Sequence, residues 1–227
     1  EIGHRPVRVL AAIANPRDIV ARYDLPPLNV DLERYLLASS LAEIDAEQIQ
    51  LTFLKPPVTL ERLSRMLLQG YDWLHFVGHG RTNLRQGRVD LLMEDAQGNT
   101  RAIADHLFAG MLARQGVRPQ FVVLATCQSA SLSNGNRVAE TLARETWAMA
   151  GLAPQLVRLG VPAVVAMRGR VMMHTAQLIT RHLYQGLVTH GIVDLALNQA
   201  RGALATAQCP GLAAPILYMH LPNGALW

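Results

Sequence analysis

The 227-residue chain has little of what marks several large protein classes. It holds two cysteines, Cys127 and Cys209, too few for the disulfide framework of a small secreted domain. Charged residues make up 17% of the chain and aromatic residues 5%, whereas 50% of it is hydrophobic. This balance excludes intrinsic disorder and collagen-like repeats, and it predicts a globular protein with a sizeable core.

Other missing features bear on location and partners. No apolar run approaches the roughly 18 residues that a membrane-spanning helix requires, and no secretory signal opens the chain. The net charge is +4, and the basic residues, with Lys55 as the only lysine, are scattered. We therefore expect a cytoplasmic location, no membrane partner and no directly bound nucleic acid, which needs a dense basic patch. Because Glu1 replaces an initiator methionine, we expect a domain cut from a longer chain.

The chain also lacks the short motifs of nucleotide and cofactor sites. It contains neither a Gly-x-x-x-x-Gly-Lys-[Ser/Thr] loop nor a Gly-x-Gly-x-x-Gly fingerprint, and its serines lack the Gly-x-Ser-x-Gly elbow of serine hydrolases. His75 and His79 are four residues apart, but His75 lies deep in an apolar run. A hydrogen-bonded core histidine is a better interpretation of His75 than a metal ligand. We therefore expect no cofactor and no metal site.

Apolar runs alternate with helix-like segments along the whole sequence. Six strands are predicted, at residues 7–14, 48–54, 73–77, 121–125, 161–167 and 216–221, with a small hairpin at residues 88–102. Amphipathic helices between the strands imply a mostly parallel sheet covered on both faces. Residues 1–227 show no linker, so we interpret them as one α/β domain. Asp31 is the predicted cap of a helix over residues 31–44, and Glu94-Asp95 is the predicted solvated hairpin tip.

Two strand ends carry reactive side chains. His79 follows the strand at 73–77 and lies between two glycines, and Cys127 follows the strand at 121–125. Ligands of open parallel sheets bind at the carboxyl ends of the strands, where a thiolate can attack a carbonyl and an imidazole can move the proton. The backbone N–H groups of Gly80 and Cys127 are the candidate oxyanion donors. The alternative is that Cys127 is a small buried hydrophobe closing an apolar strand.

Two blocks of sequence resemble the paired signature of the CHAT domain, a branch of the caspase-like cysteine peptidases, which also include separases and metacaspases. They are Trp73-Leu74-His75-Phe76-Val77-Gly78-His79-Gly80 and Val123-Leu124-Ala125-Thr126-Cys127-Gln128-Ser129-Ala130. The similarity extends over nearly the whole chain, from Asn15-Pro16 to Pro215-Ile216-Leu217-Tyr218. The resemblance implies a caspase-like three-layer sandwich, with a mostly parallel six-stranded sheet, helices on both faces and a small β-hairpin.

The resemblance also implies an activity. It predicts a cysteine endopeptidase that cleaves a specific protein substrate through a thioester at Cys127, with His79 as acid and base. Such domains typically follow sensor or repeat modules, so we expect sensor or adaptor domains on the same or another chain. The implied role is the proteolytic output of a bacterial signalling or defence protein.

One departure from the family concerns substrate choice. Family members commonly carry an aspartate a few residues beyond the strand equivalent to 161–167, and in separase-like members an acid there receives a basic side chain before the scissile bond. Here that stretch contains Arg168, Arg170, Met172 and Met173 and no acid. We take these four as candidate substrate-binding residues, because arginine pairs with carboxylates and methionine accepts apolar side chains. The alternative is that both arginines are solvated.

The sequence is also compatible with two other functions. A catalytically silent caspase-like interaction module is one alternative function, and a thiol enzyme for non-peptide acyl transfer is another. The polar segment at residues 131–151 is a candidate lid, since long connections often close over active sites. Cys209 is interpreted as an exposed or half-buried thiol in a surface loop.

Overall fold

The computed structural model describes residues 6–83, 88–114, 116, 118–125, 151–168 and 171–227. The strands in these ranges are β1 (Val7–Ile13), β2 (Ile49–Phe53), β3 (Trp73–Val77), β4 (His79–Asn83), β5 (Arg88–Glu94), β6 (Thr100–Ala104), β7 (Phe121–Ala125), β8 (Ala163–Met167) and β9 (Pro215–Met219). The helices are α1 (Ile19–Tyr23), α2 (Val30–Leu41), α3 (Leu60–Leu67), α4 (Asp105–Ala113), α5 (residues 151–158), α6 (Met173–His190) and α7 (Val193–Thr206). None of these described helices is both long and apolar enough to cross a membrane.

The main sheet contains six strands in the order β2-β1-β3-β7-β8-β9. The first five run parallel, and β9 pairs antiparallel with β8. The predicted mostly parallel sheet is therefore confirmed. The strand β2 is an edge strand with a neighbour on one side only, which explains why polar and apolar residues alternate over residues 48–54.

Side chains alternate along the buried strands, so the sheet divides the core into two layers. On one face, residues such as Trp73 and Val123 pack with α2, α6 and α7. On the other face, residues such as Leu74 and Leu124 pack with α3, α4 and α5. Burial on both faces explains why these strands are continuous apolar runs in the sequence, and it confirms the predicted sandwich of helices around a sheet.

A second, antiparallel sheet consists of β4, β5 and β6. The hairpin formed by β5 and β6 confirms the prediction for residues 88–102, and its turn includes Gly98 at φ +80°. The strand β4 was not predicted, because residues 79–83 have neither an apolar run nor an alternating pattern. Gly78 alone separates β3 from β4, so this small sheet extends directly from the carboxyl end of β3.

Two local predictions are wrong. Asn29, not Asp31, caps α2, because the Asn29 side chain accepts a hydrogen bond from the Leu32 N–H over 3.1 Å. Asp31 lies in the first turn of the helix and is exposed. Glu94 is not a solvated hairpin tip but is only 5% exposed, since backbone N–H groups bind both of its carboxylate oxygens. Two such bonds replace the water that a buried carboxylate loses.

Candidate active site

The strands that lead to the two predicted catalytic residues are neighbours in the main sheet. Val77, at the end of β3, lies opposite Ala125, at the end of β7. The Gly78 N–H donates a hydrogen bond to the Ala125 carbonyl over 3.2 Å, so the pairing continues past β3. In the sequence, His79 follows Val77 by two residues, and Cys127 follows Ala125 by two. The carboxyl edge at which these strands end is where parallel sheets bind their ligands.

The described residues define the histidine side of this site. Cys127 lies outside them, as do Arg170 and residues 131–150 of the candidate lid. Gly80, the other candidate oxyanion donor, is buried in β4 opposite Leu91. Within the part of the chain that is described, no group of three or more His, Cys, Asp or Glu side chains is arranged to hold a metal ion.

The ring of His79 is held by a backbone carbonyl. His79 is 3% exposed, and its Nε2 lies 2.9 Å from the carbonyl oxygen of Pro26. A carbonyl oxygen only accepts hydrogen bonds, so Nε2 carries the proton. The nitrogen of the neutral ring that can accept a proton is then Nδ1. This contact therefore sets both the orientation and the tautomer of His79.

The segment that supplies this carbonyl is clamped by a single side chain. Pro26 belongs to residues 24–29, which connect α1 to α2 without regular structure. The Asn15 side chain binds Leu28 at both backbone groups: Oδ1 accepts from the Leu28 N–H over 2.8 Å, and Nδ2 donates to the Leu28 carbonyl over 3.1 Å. The clamp lies two residues from Pro26, so it restricts where the Pro26 carbonyl points.

Asn15 is in turn held by Glu94. The Asn15 N–H donates to Glu94 Oε1 over 2.9 Å, and the Val58 N–H donates to Glu94 Oε2 over 2.8 Å. Glu94 ends β5, the strand that pairs with β4, in which His79 is the first residue. One buried carboxylate thus connects the small sheet that carries His79 with Asn15, whose side chain holds the segment that contains Pro26.

Apolar contacts connect the same two parts. Ile19 and Leu25 pack against Leu92, and all three side chains are 2% exposed or less. Leu92 pairs with His79 across β4 and β5. The burial of this apolar cluster therefore stabilises the packing of α1 and of residues 24–29 against the small sheet.

A buried carboxylate, paired with two partly exposed arginines, holds the rest of β4 on β5. Asp90, which is 1% exposed, lies opposite Arg81 and has an oxygen 3.5 Å from Arg81 Nη2. Its other oxygen accepts a hydrogen bond from Arg88 Nε over 3.0 Å. The guanidinium of Arg81 also lies over the ring of Tyr23, 4.9 Å from its centre. Removing a cation from a buried carboxylate is strongly destabilising, so these contacts keep the strand of His79 in register.

A pocket of about 30 Å³ lies at the same edge of the sheet, on the face covered by α2 and α6. Three of its walls are the last residues of β3, β7 and β8, namely Val77, Ala125 and Met167. The helices and the segment before α6 supply Glu33, Leu36, Leu37, Ser40, Val171, Met173, Ala176, Gln177 and Thr180, and His75 of β3 completes the lining. Because Val77 and Ala125 each precede a predicted catalytic residue by two positions, the pocket adjoins the candidate site.

The lining of the pocket is mostly apolar, with one carboxylate among its described residues, that of Glu33. Glu33 is 6% exposed and lies in the first turn of α2. A helix that connects two parallel strands begins at their carboxyl edge and runs back along the sheet. Glu33 therefore lies nearer the carboxyl edge of the sheet than His75, which stands two residues before the end of β3.

His75 is the core histidine that the sequence predicted. Its Nδ1 lies 2.8 Å from the hydroxyl of Tyr184, and the two rings meet edge to face. Complete burial lowers the pKa of His75 from 6.5 to about 4, because the imidazolium loses its hydration. Burial likewise raises the pKa of Tyr184. Both side chains are therefore neutral near pH 7 and form an uncharged floor under the pocket.

The predicted substrate-binding residues differ in where they lie. Met173 lines the pocket. Met172 is 51% exposed, and Arg168 is exposed, with its backbone N–H bonded to the Ala214 carbonyl over 2.6 Å. Neither Met172 nor Arg168 is part of the pocket lining. The second cysteine, Cys209, is half-buried, with Sγ 3.4 Å from His174 Nδ1.

Sequence reasoning missed two residues of this site. Pro26 contributes its backbone, so its side chain gives no signal of a role. Glu33 resembles any acid in the first turn of a helix, where the helix dipole favours negative charge. Only its burial separates Glu33 from such residues, and one sequence does not reveal burial. Asn15 was visible as a polar residue at the end of a strand, but its role depends on a contact with Leu28.

Solved structures share this architecture. A structure of pro-Sf-caspase-1 aligns with a TM-score of 0.51 at 12% sequence identity, over 99% of this chain and 94% of that one. Caspase-1 from Spodoptera frugiperda aligns with a TM-score of 0.49 at 12% identity, over 97% of this chain and 88% of that one. At such identities the first alignment shows the fold alone, which is the caspase-like α/β sandwich. No curated protein sequence matches the chain.

The family assignment comes from the sequence. The profile of the CHAT domain matches residues 3–218 of the 227. The matched range runs from before β1 into β9, and it contains both strand ends of the candidate site. The caspase-like fold agrees with the resemblance of the His79 and Cys127 blocks to this family. The chain belongs to the CHAT domain family.

Proposed function

We propose that this protein is a cysteine endopeptidase, with Cys127 as the nucleophile and His79 as the acid and base. The observation that carries the proposal is the pairing of Val77 with Ala125, because it gives the strands before His79 and Cys127 a common end. The buried His79 ring, with its tautomer set by Pro26, supports the same assignment. Membership in the CHAT family and the caspase-like fold support a reaction of the cysteine-peptidase type.

The proposed reaction has two steps. The Cys127 thiolate attacks the scissile carbonyl carbon, and the tetrahedral intermediate collapses to a thioester as the C–N bond breaks. Protonated His79 gives a proton from Nδ1 to the leaving amine, while Nε2–H stays bonded to the Pro26 carbonyl. Water then attacks the thioester, His79 takes the proton of that water, and the thiolate leaves. The sum is one peptide bond and one water converted to an amine and a carboxylic acid.

The negative oxygen of the intermediate needs donors that are in place before it forms. The backbone N–H groups of Gly80 and Cys127 are the proposed donors. The burial of Gly80 in β4, next to His79, supports this part of the proposal.

The pocket beside the strand ends is the proposed site for the substrate side chain that precedes the scissile bond. Its position next to Val77 and Ala125 supports this assignment. Of the four residues suggested by the sequence, Met173 fits this role, because it lines the pocket. Mostly apolar walls favour an apolar side chain, with Met173 as an adaptable contact.

The proposed cellular role rests on the family resemblance alone. The domain would be the proteolytic output of a bacterial signalling or defence protein in the cytoplasm, acting on a protein substrate. Sensor or adaptor modules on the same or another chain are the proposed activating partners. Residues 1–227 are proposed to be one domain.

Thiol labelling separates this function from a silent interaction module. The protein is treated with peptide chloromethyl ketones that carry an apolar residue next to the ketone, and the modified cysteine is identified by mass spectrometry. We expect Cys127 to react and His79→Gln to slow its labelling by about 100-fold, the usual contribution of a general acid or base. Cys209, with His174 3.4 Å from its sulfur, is the internal reference thiol. Equal labelling of both cysteines, with no effect of His79→Gln, would support the silent module instead.

A further inference from the structure

The orientation of His79 depends on a short chain of hydrogen bonds. His79 Nε2 donates to the Pro26 carbonyl, which lies 53 residues earlier in the sequence. Proline has no backbone N–H, so it cannot anchor itself through a hydrogen bond from its own nitrogen. The position of its carbonyl must therefore come from the residues around it.

Leu28 is the nearest anchored residue after Pro26. Asn15 binds both the N–H and the carbonyl of Leu28, at 2.8 and 3.1 Å. A two-point contact by a planar amide fixes the rotation of the bound backbone as well as its distance. Leu28 is 6% exposed, so little water is available to replace the amide.

Asn15 sits between two fixed parts of the fold. Ala14 precedes Asn15, and its N–H donates a hydrogen bond to the Val77 carbonyl over 2.9 Å. This bond attaches the chain just after β1 to the end of β3, the strand before His79. The Asn15 N–H donates to Glu94, whose second oxygen binds the Val58 N–H. The Glu94 carboxylate therefore holds the backbone from which the Asn15 side chain extends.

We propose that Asn15 and Glu94 are positioning residues that set the Pro26 carbonyl and, through it, the Nε2-protonated tautomer of His79. The inference rests on the proposed function of His79, because the tautomer matters only if Nδ1 exchanges the proton. Neither residue contacts the reacting atoms in this account. Their effect is on the geometry of the proton transfer, where a displacement of about 1 Å can cost about 100-fold in rate.

The tautomer is measured without any enzyme activity. In Cys127→Ala protein labelled with ¹⁵N-histidine, the His79 ring signals are assigned by their loss in His79→Gln. We expect neutral His79 to be Nε2-protonated, and we expect Asn15→Ala to give a mixture of both tautomers. Glu94→Gln should give the same change to a smaller extent, since one amide oxygen still accepts an N–H. An unchanged tautomer in Asn15→Ala, or a neutral ring protonated at Nδ1 in the parent protein, would overturn the proposal.

Asn29→Ala is the matched control. Asn29 belongs to the same segment, residues 24–29, and its side chain accepts a hydrogen bond from the Leu32 N–H at the start of α2. The side chain that binds both backbone groups of Leu28 is that of Asn15. Its loss should lower the stability of the protein and leave the His79 tautomer unchanged. A tautomer change in Asn29→Ala equal to that in Asn15→Ala would mean general loosening and would contradict the specific role.

Kinetics give the second readout in the protein that retains Cys127. Asn15→Ala should lower kcat by about 10- to 100-fold and change KM by less than about 3-fold, because proton transfer and not substrate binding is disturbed. A rise in KM at unchanged kcat would contradict the proposal. If the parent protein has the expected tautomer and Asn15→Ala disturbs it, but no peptide is cleaved, the proposed function fails and the positioning role of Asn15 stands.

Discussion

Val77 and Ala125 lie opposite each other in adjacent parallel strands, and both line a pocket at the end of those strands. Val77 stands two residues before His79, the proposed acid and base. Ala125 stands two residues before Cys127, the proposed nucleophile. The same pair of strands therefore supplies the wall of the pocket and the approach to the proposed catalytic residues. In the proposed function, substrate choice and catalysis therefore meet at one place on the sheet.

The buried pair under this pocket predicts a pH dependence of stability. The pKa of His75 is about 4 in the folded protein, against the ordinary histidine value of 6.5 that applies to the unfolded chain. Between these values the unfolded state binds more protons, so the free energy of unfolding rises with pH. The free energy of unfolding has its full value above about pH 6.5. It decreases as the pH falls towards 4, by about 3 kcal/mol in total.

Urea unfolding at several pH values checks this prediction. His75→Gln should remove the part of the pH dependence between 6.5 and 4, because glutamine does not titrate. His220→Gln, at an exposed position, is the control and should unfold with the pH dependence of the parent protein. If the stability difference between parent and His75→Gln is the same at pH 7 and pH 4.5, the buried histidine does not titrate as described.

Filling the pocket should lower activity without affecting the thiol. Ala176, from α6, lines the pocket, and leucine there adds three carbon atoms to a small space. We expect Ala176→Leu to lower kcat/KM for a peptide substrate by about 10-fold or more, since such steric changes are worth about 1–3 kcal/mol. The rate at which iodoacetamide alkylates Cys127 should stay unchanged. Gln185→Leu, at an exposed position of the same helix, is the control, and equal losses in both variants would show that the pocket is not used.

The composition of the pocket predicts its preferred side chain. Apolar residues form most of the lining, so a peptide library should be cleaved after apolar residues. Glu33→Gln should change this preference little, because most of the lining is apolar. A strong preference for arginine or lysine that Glu33→Gln removes would contradict this prediction. That result would mean that Glu33 binds the basic substrate side chain, in place of the acid that is absent from the segment after β8.

Periodicity sufficed for the parts of the fold that local patterns determine. Strands buried on both faces are continuous apolar runs, as at residues 73–77 and 121–125, and helical crossovers place parallel strands side by side. The strands that precede His79 and Cys127 in the chain therefore follow from the sequence. The cap of α2 was misplaced by two residues, because asparagine and aspartate cap helices equally well and both occur at its start.

The rest of the site depends on contacts between distant residues. The bond from His79 to Pro26 uses a backbone carbonyl in an irregular segment, which no residue pattern marks. Glu94 is an acid at the end of a hairpin strand, a position that usually meets water, and only the N–H groups of Asn15 and Val58 keep it buried. Such contacts appear only when the loops are placed in three dimensions.

If Cys127 and His79 form a peptidase, new protein N-termini appear in cells that contain both the protein and its substrate. Parent protein, Cys127→Ala and His79→Gln are each expressed in cells together with candidate substrate proteins, and new N-termini are labelled and sequenced. We predict cleavage at specific sites by the parent protein alone, with an apolar residue before each cut. The same new termini in Cys127→Ala cells, or none in cells with the parent protein, would contradict the account.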